Sequence, residues 1–306
     1  MRASSTTLLG LAALCMSLGL ASGGCRQMML DRQLESVRKA SPAFMTLGDY
    51  EVARTIVYSS LGNYEGQHRL APNNADGLFL LTRGWAAAGF NFMEDDWEAS
   101  TDAGDDELAE ENRTRARGAY TRAAFYGLEL LEQKAQDFQL ARRDARSVRT
   151  WLKSFEAIDA DSLYWTGFAW MGRVNVSKDI PEISSESAIG VAMLERVVEL
   201  DADWNHGLAH VALGAWHARS ASGELDKARE HFERAMRING GKLLITQVQF
   251  ARTYYCVRND KANYVRLLTN VVDAGDPLPD HRLSNTVAQR RAKRYLSDVR
   301  MADCGF

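Results

Sequence analysis

Gly223-Glu224-Leu225-Asp226-Lys227-Ala228, followed by Phe232, Ala235 and Gly240, is the stretch whose reading decides the fold. A turn residue opens it, Ala-x-x-x-Phe-x-x-Ala spacing runs through it, and a glycine stop ends it. Small residues three and four places from an aromatic lie on one helical face, where they let a second helix come close while the ring fills the groove. Upstream, Leu213-Gly214 and His217 occupy the matching places of a preceding helix, with a short insertion before Gly223. A weaker copy lies earlier, with Leu194, Val197 and Leu200-Asp201-Ala202-Asp203 in its second helix.

Two related helix pairs about one repeat length apart predict an all-α, tetratricopeptide-like helical hairpin array, an α-solenoid with extra helices. The rest of the chain agrees. It has 306 residues, 46% of them hydrophobic and 25% charged, enough to bury a large core, and only five prolines. Apolar residues recur at three- and four-residue spacing, and strand-like alternation is hard to find. The pattern predicts a helix over Asp49–Leu70, a turn at Ala71-Pro72-Asn73-Asn74, and a second helix from Ala75 to about Phe92.

Residues 1–24 follow signal-peptide grammar, with Arg2, an apolar stretch from Leu8 to Leu20 and the small residues Ala21-Ser22-Gly23-Gly24 leading into Cys25. The apolar stretch is too short to span a bilayer. Gly23-Gly24-Cys25 resembles the end of a bacterial lipobox, with Ser22 in place of the usual leucine, and makes Cys25 the candidate lipid-attachment residue. Secretion with a free Cys25 is the alternative. The expected division is a signal peptide over 1–24, an N-terminal tether and lead-in over 25–48 and the helical domain over 49–306. Arg2 is the one basic residue of 1–24, so the remainder carries 36 basic against 40 acidic residues and favours neither nucleic acid nor an anionic membrane surface. Beyond Cys25 only Cys256 and Cys304 remain, either as a disulfide or as two separate thiols.

From Glu94 to Asn112 there are ten carboxylates and no lysine or arginine. Repulsion at that density predicts a solvated loop or frayed helix end. Asp102-Ala103-Gly104-Asp105-Asp106 lacks the alternating ligands of a calcium loop. A basic helix start follows at Arg113, Arg115 and Arg117. Arg142-Arg143-Asp144-Ala145-Arg146 and Arg290-Arg291-Ala292-Lys293-Arg294 read as solvated helix faces, with contact to an acidic partner protein as the other reading.

Tyr164-Trp165-x-x-Phe168-x-Trp170 is the densest aromatic cluster. Its residues point around a helix, so they serve inter-helix packing or a ligand surface, and Tyr164, Trp165 and Trp170 are the candidate partner- or ligand-binding residues. His206 and His210 fall one helical turn apart, with His217 two turns on. Gly207 stands where a zinc protease needs its glutamate, so these are expected as interface histidines with no metal. No nucleophile elbow, phosphate loop or dinucleotide fingerprint occurs, and no catalytic residue or cofactor is expected.

In order along the chain, Leu163-Tyr164-Trp165 with Trp170, Asn175-Val176-Ser177-Lys178-Asp179, Leu194 to Asp201, Gly207-Leu208-Ala209-His210, Gly223 to Ala235 and Asn285 to Ala292 resemble the TatT family, the T component of tripartite ATP-independent periplasmic (TRAP) transporters. The resemblance runs from Asp49 to Asp303. It implies a non-enzymatic, periplasm-facing lipoprotein, a homotrimer that associates with the solute-binding P component and takes a small hydrophobic ligand. Arg26 in place of the aspartate of inner-membrane retention points to the outer membrane. The competing expectation is a tetratricopeptide lipoprotein scaffold for envelope assembly that handles no solute.

Overall fold

The computed structural model describes residues 27–219 and 223–306, and every described regular element is helical. Cys25 and the expected signal peptide lie outside the described residues. Helix α1 covers 27–40 and runs into a 3-10 turn at Ser41–Thr46. There follow α2 (Tyr50–Leu70), α3 (Ala75–Ala88), a π-helical turn at Gly89–Met93, α4 (Glu94–Asp102) and α5 (Asp106–Glu132). The middle of the chain forms α6 (Phe138–Ala141), α7 (Ala145–Leu152), α8 (Ala160–Asn175), α9 (Pro181–Ser184) and α10 (Ser187–Leu200). Next come α11 (Trp204–Arg219), α12 (Leu225–Asn239) and α13 (Ile245–Gln249), which passes into a second π-helical segment at Phe250–Tyr255. The chain ends with α14 (Lys261–Asp273), α15 (Arg282–Tyr295) and α16 (Asp298–Asp303).

Helix α2 starts where Asp49 accepts from the backbone N–H groups of Glu51 and Val52, and α3 starts at the Asn74 cap. The deciding stretch forms α12, packed on α11. Ala228, Phe232 and Ala235 are all fully buried, and a Cβ on Gly214 would stand 3.0 Å from the Phe232 ring. The helices therefore touch at the glycine. Helices α8 and α10 repeat the arrangement, since a Cβ on Gly167 would meet Met193 at 2.9 Å. These are the two related units expected from the spacing.

The interior divides into two main apolar clusters. One gathers α2, α3, α5, α7, α8 and α10 around Phe92, Phe138, Leu163 and Trp170. The other gathers α12, the second π segment, α14 and α15 around Phe232, Val248, Tyr264 and Leu268. Phe90 and Leu208 border both. The lead-in is itself structured, because α1 buries Leu34 against Ala71 and Leu80 and Arg38 pairs with Asp76 at 3.0 Å.

Two expectations are corrected. The acidic stretch is a solvated loop or helix end only in its second half, where Asp105, Asp106, Glu107, Glu110 and Glu111 are exposed. Glu94–Asp102 is a regular helix with Glu94, Asp95 and Glu98 buried, and Asp105 caps α5 through the Leu108 N–H. Nor do His206 and His210 share a helical face. Asn205, His206 and Gly207 take φ values of 42°, 60° and 79°, so regular helix begins only beyond them. At Gly207 this left-handed turn lies against Ala235 and Ile238 of α12, where an added Cβ would come within 3.0 Å of Ile238.

Cys256 and Cys304, left open by the sequence, form a disulfide across 48 residues that ties the end of the second π segment to the chain beyond α16. Closing a loop of that length restricts the unfolded chain. Replacing both cysteines by serine is expected to cost about 2–4 kcal/mol in chemical denaturation, with little change in the spectrum of the folded state.

Candidate functional site

The aromatic residues of α8 and α11 do not close completely on their neighbours. Between them, α2, α3 and the Ser41–Thr46 turn lies a largely apolar cavity of about 1280 Å³. That exceeds the roughly 300–1,000 Å³ of ordinary small-molecule pockets. Its wall includes Phe90 from the first π turn, Tyr164, Trp165 and Phe168 from α8, and Leu208 and Trp216 from α11. Tyr164 stacks on Phe168 with ring centres 5.7 Å apart and lies 4.5 Å from Trp204, while Phe90 meets Phe168 edge-on at 5.4 Å. One end is covered by the lead-in, where Arg83 donates to the Ser41 hydroxyl at 3.0 Å and Arg282 donates to the Thr46 carbonyl at 3.1 Å.

The three candidate aromatic residues have different surroundings. Trp165 is half-buried, lines the cavity and carries the Arg83 guanidinium 5.6 Å from its ring. Tyr164 is 3% exposed and also lines the cavity, and burial raises its phenol. Trp170, 2% exposed, faces away into the core, where it packs on Phe138 at 5.9 Å and under Arg173 at 5.0 Å. Adjacent aromatics on one helix point in different directions, which is why Trp170 separates from the other two.

Behind the cavity lies a buried charge network that the sequence reading missed. The carboxylates of α4 face arginines from α15, the second π segment and α16. Arg290 and Arg294 reach Asp95, each at 2.6 Å, and Glu98 accepts from Arg252 and Arg294 at 3.0 Å and from the Tyr295 hydroxyl at 2.8 Å. Arg300 holds Asp102 at 2.6 Å. Arg291, 0% exposed, donates to the Phe90 carbonyl and lies with its guanidinium 4.2 Å over the Phe90 ring. Hence the basic run on α15 is divided, with Arg290 and Lys293 exposed but Arg291 buried and Arg294 turned onto α4, which corrects the expected solvated face in part. The other basic run is divided: Arg142 pairs with Glu186, and Asp144 caps α7.

Burial by itself would raise the Glu98 carboxyl, but the guanidiniums of Arg252 and Arg291 outweigh it and hold the group down at about 2. Glu94, in the cavity wall, behaves oppositely. Burial dominates and raises it, although Arg291 and the Tyr120 hydroxyl oppose the shift.

The histidines form a separate group. His210 and His231 meet through their Nδ1 atoms at 2.8 Å, and His217 pairs with Glu224 at 2.8 Å while stacking on His231. Burial, then the charges of His210 and His217, push His231 down to about 4. His206 instead meets His281 edge-on at 4.6 Å. Among the described residues no three His, Cys, Asp or Glu side chains are arranged to hold a metal ion.

A family model for the TRAP transporter T-component matches residues 47–302. The chain belongs to that family. The match takes in α2 to α15, and with them the charge network and all of the cavity wall except the part that the lead-in supplies. No curated protein matches the chain. No described helix is long and apolar enough to cross a membrane.

Two outcomes follow from this geometry. Trp170→Ala is expected to cost about 3–5 kcal/mol by leaving a core void, and Trp165→Ala much less, as denaturant titration will show. Glu98 is ionised more readily in the folded state, so its stabilisation is complete above the ordinary value of 4.5 and lost as pH falls toward 2. Acid unfolding of the wild type should therefore steepen across that window, and Glu98→Gln should flatten it.

Proposed function

We propose that this T-component is a lipid-anchored, periplasm-facing accessory that associates with the solute-binding P component of its transporter and holds a small hydrophobic ligand. The observation that carries the reading is the cavity: about 1280 Å³ of mostly apolar space, lined by preformed aromatic residues, in a family tied to solute transport. An apolar molecule moving from water into such a space gains roughly 25 cal/mol for each Å² it buries. The walls need little ordering on binding because hairpin packing already fixes them. Anchoring through Cys25 draws its support from the small residues before the cysteine and the apolar stretch behind them. Attachment to the outer membrane, which rests on Arg26 after the cysteine, and assembly as a trimer, which rests on the family resemblance, belong to the same proposal.

The test uses the whole chain with its cognate solute-binding protein, by pull-down and native mass spectrometry of the complex. Association is expected, together with an apolar molecule carried through purification. Trp165→Ala should weaken that molecule's binding by about thirtyfold, the equivalent of about 2 kcal/mol, with helicity unchanged. A wild-type chain that neither associates with that protein nor carries such a molecule would contradict the reading and favour a scaffold.

A further inference from the structure

Two groups of charged side chains face the cavity, and they differ in how they are satisfied. Near the lead-in, Arg83 is hydrogen-bonded to Ser41 and feels the Asp161 carboxylate. The second group comprises Glu94, Lys178, Arg219 and Arg252. Arg252 is committed to Glu98 at 3.0 Å and to the Tyr295 hydroxyl at 2.7 Å. Glu94 accepts from the Tyr120 hydroxyl and has Arg291 at 3.9 Å. Lys178, in the turn after α8, and Arg219, at the end of α11, make no hydrogen bond or ion pair among the described residues.

Both side chains are solvent-exposed where they border the cavity, yet each stands among packed protein. Lys178 is lowered first by the charge of Arg219 and then by burial, and Arg219 is lowered by burial and by Arg252. Arg219 thus disfavours the charged form of Lys178, as Arg252 does that of Arg219, and a neighbouring anion would relieve both. Glu94 does little of this, because burial raises its own carboxyl and its oxygens already have partners. Beside the pair runs the apolar wall of Phe90, Tyr164, Trp165, Phe168 and Trp216. An unpaired cationic site therefore opens onto a long apolar space.

We propose that the cavity takes a long-chain monocarboxylate, with the carboxylate held by Lys178 and Arg219 and the tail along the aromatic wall. The proposal rests on the reading of the cavity as a ligand site and adds the chemistry of the headgroup. Arginine gives a carboxylate a two-pronged donor and lysine a point charge, and such charge-assisted bonds are about twice as strong as neutral ones. A neutral alcohol of the same chain length would gain the tail contacts alone.

Titrating the whole chain with palmitate and with hexadecanol, followed by tryptophan emission and calorimetry, separates the two contributions. Palmitate is expected to bind at least about tenfold tighter than the alcohol. Lys178→Ala with Arg219→Ala should remove that preference and leave alcohol binding unchanged, while Lys178→Arg with Arg219→Lys should keep it. Equal binding of acid and alcohol by the wild type, or a preference that survives the double alanine change, would overturn the headgroup assignment and leave the cavity reading standing. Failure of both molecules to bind would overturn the cavity reading itself.

Discussion

The charged contact between α4 and α15 is the constraint on which the other features depend. Asp95, Glu98 and Asp102 meet Arg290, Arg294 and Arg300 across roughly 200 residues of sequence, with Arg252 completing the set. Taking so many charges out of water costs several kcal/mol per ion, and mutual attraction offsets that only when hydrogen bonds are well placed. The Tyr50 and Tyr295 hydroxyls supply such bonds to Asp95 and Glu98. A one-residue slip of α4 along α15 would leave buried carboxylates facing apolar atoms.

The cavity follows from that arrangement. Two apolar cores meet at a seam, and a π-helical segment lies at each side of it, at Gly89–Met93 and Phe250–Tyr255. Inserting a residue into a helical turn re-aims the side chains beyond it, and such insertions recur at functional sites. Here they direct Phe90 and Glu94 on one side and Arg252 on the other. Arg291 then joins network and cavity, since it grips the Phe90 carbonyl and covers the Phe90 ring while Phe90 packs on Phe168. The same seam that orders the two halves of the T-component thus sets the shape of its cavity.

The hairpins were legible in the sequence because Ala228, Phe232 and Ala235, with Gly214 opposite, carry a local spacing that only close helix packing requires. Asp49 and Pro72 marked helix boundaries through equally local chemistry. What could not be read was anything set by distant pairing. Asp95 and Glu98, and the α15 arginines that meet them, each looked solvated because the other stood about 200 residues away. Both π segments were invisible, as one inserted residue leaves the apolar periodicity nearly unchanged. The left-handed turn at Asn205–Gly207 interrupted a helix whose spacing appeared continuous. Aromatic density marked Tyr164, Trp165 and Trp170 alike, and only the assembled helices set the first two in the cavity wall and the third in the core. Lys178 was noticed only within a family-like segment, and Arg219 carried no signal, because cavity lining is a property of the assembled helices.

Native-state hydrogen exchange on the wild type and on Arg291→Met tests most directly whether the charged seam holds the two halves and the cavity together. The account predicts that in the wild type the amides of α4, α15 and the Gly89–Met93 turn exchange only with the most protected core. In the variant all three should lose protection together by a similar factor. Loss confined to α15, with α4 and the Phe90 turn still as protected as the core, would contradict it.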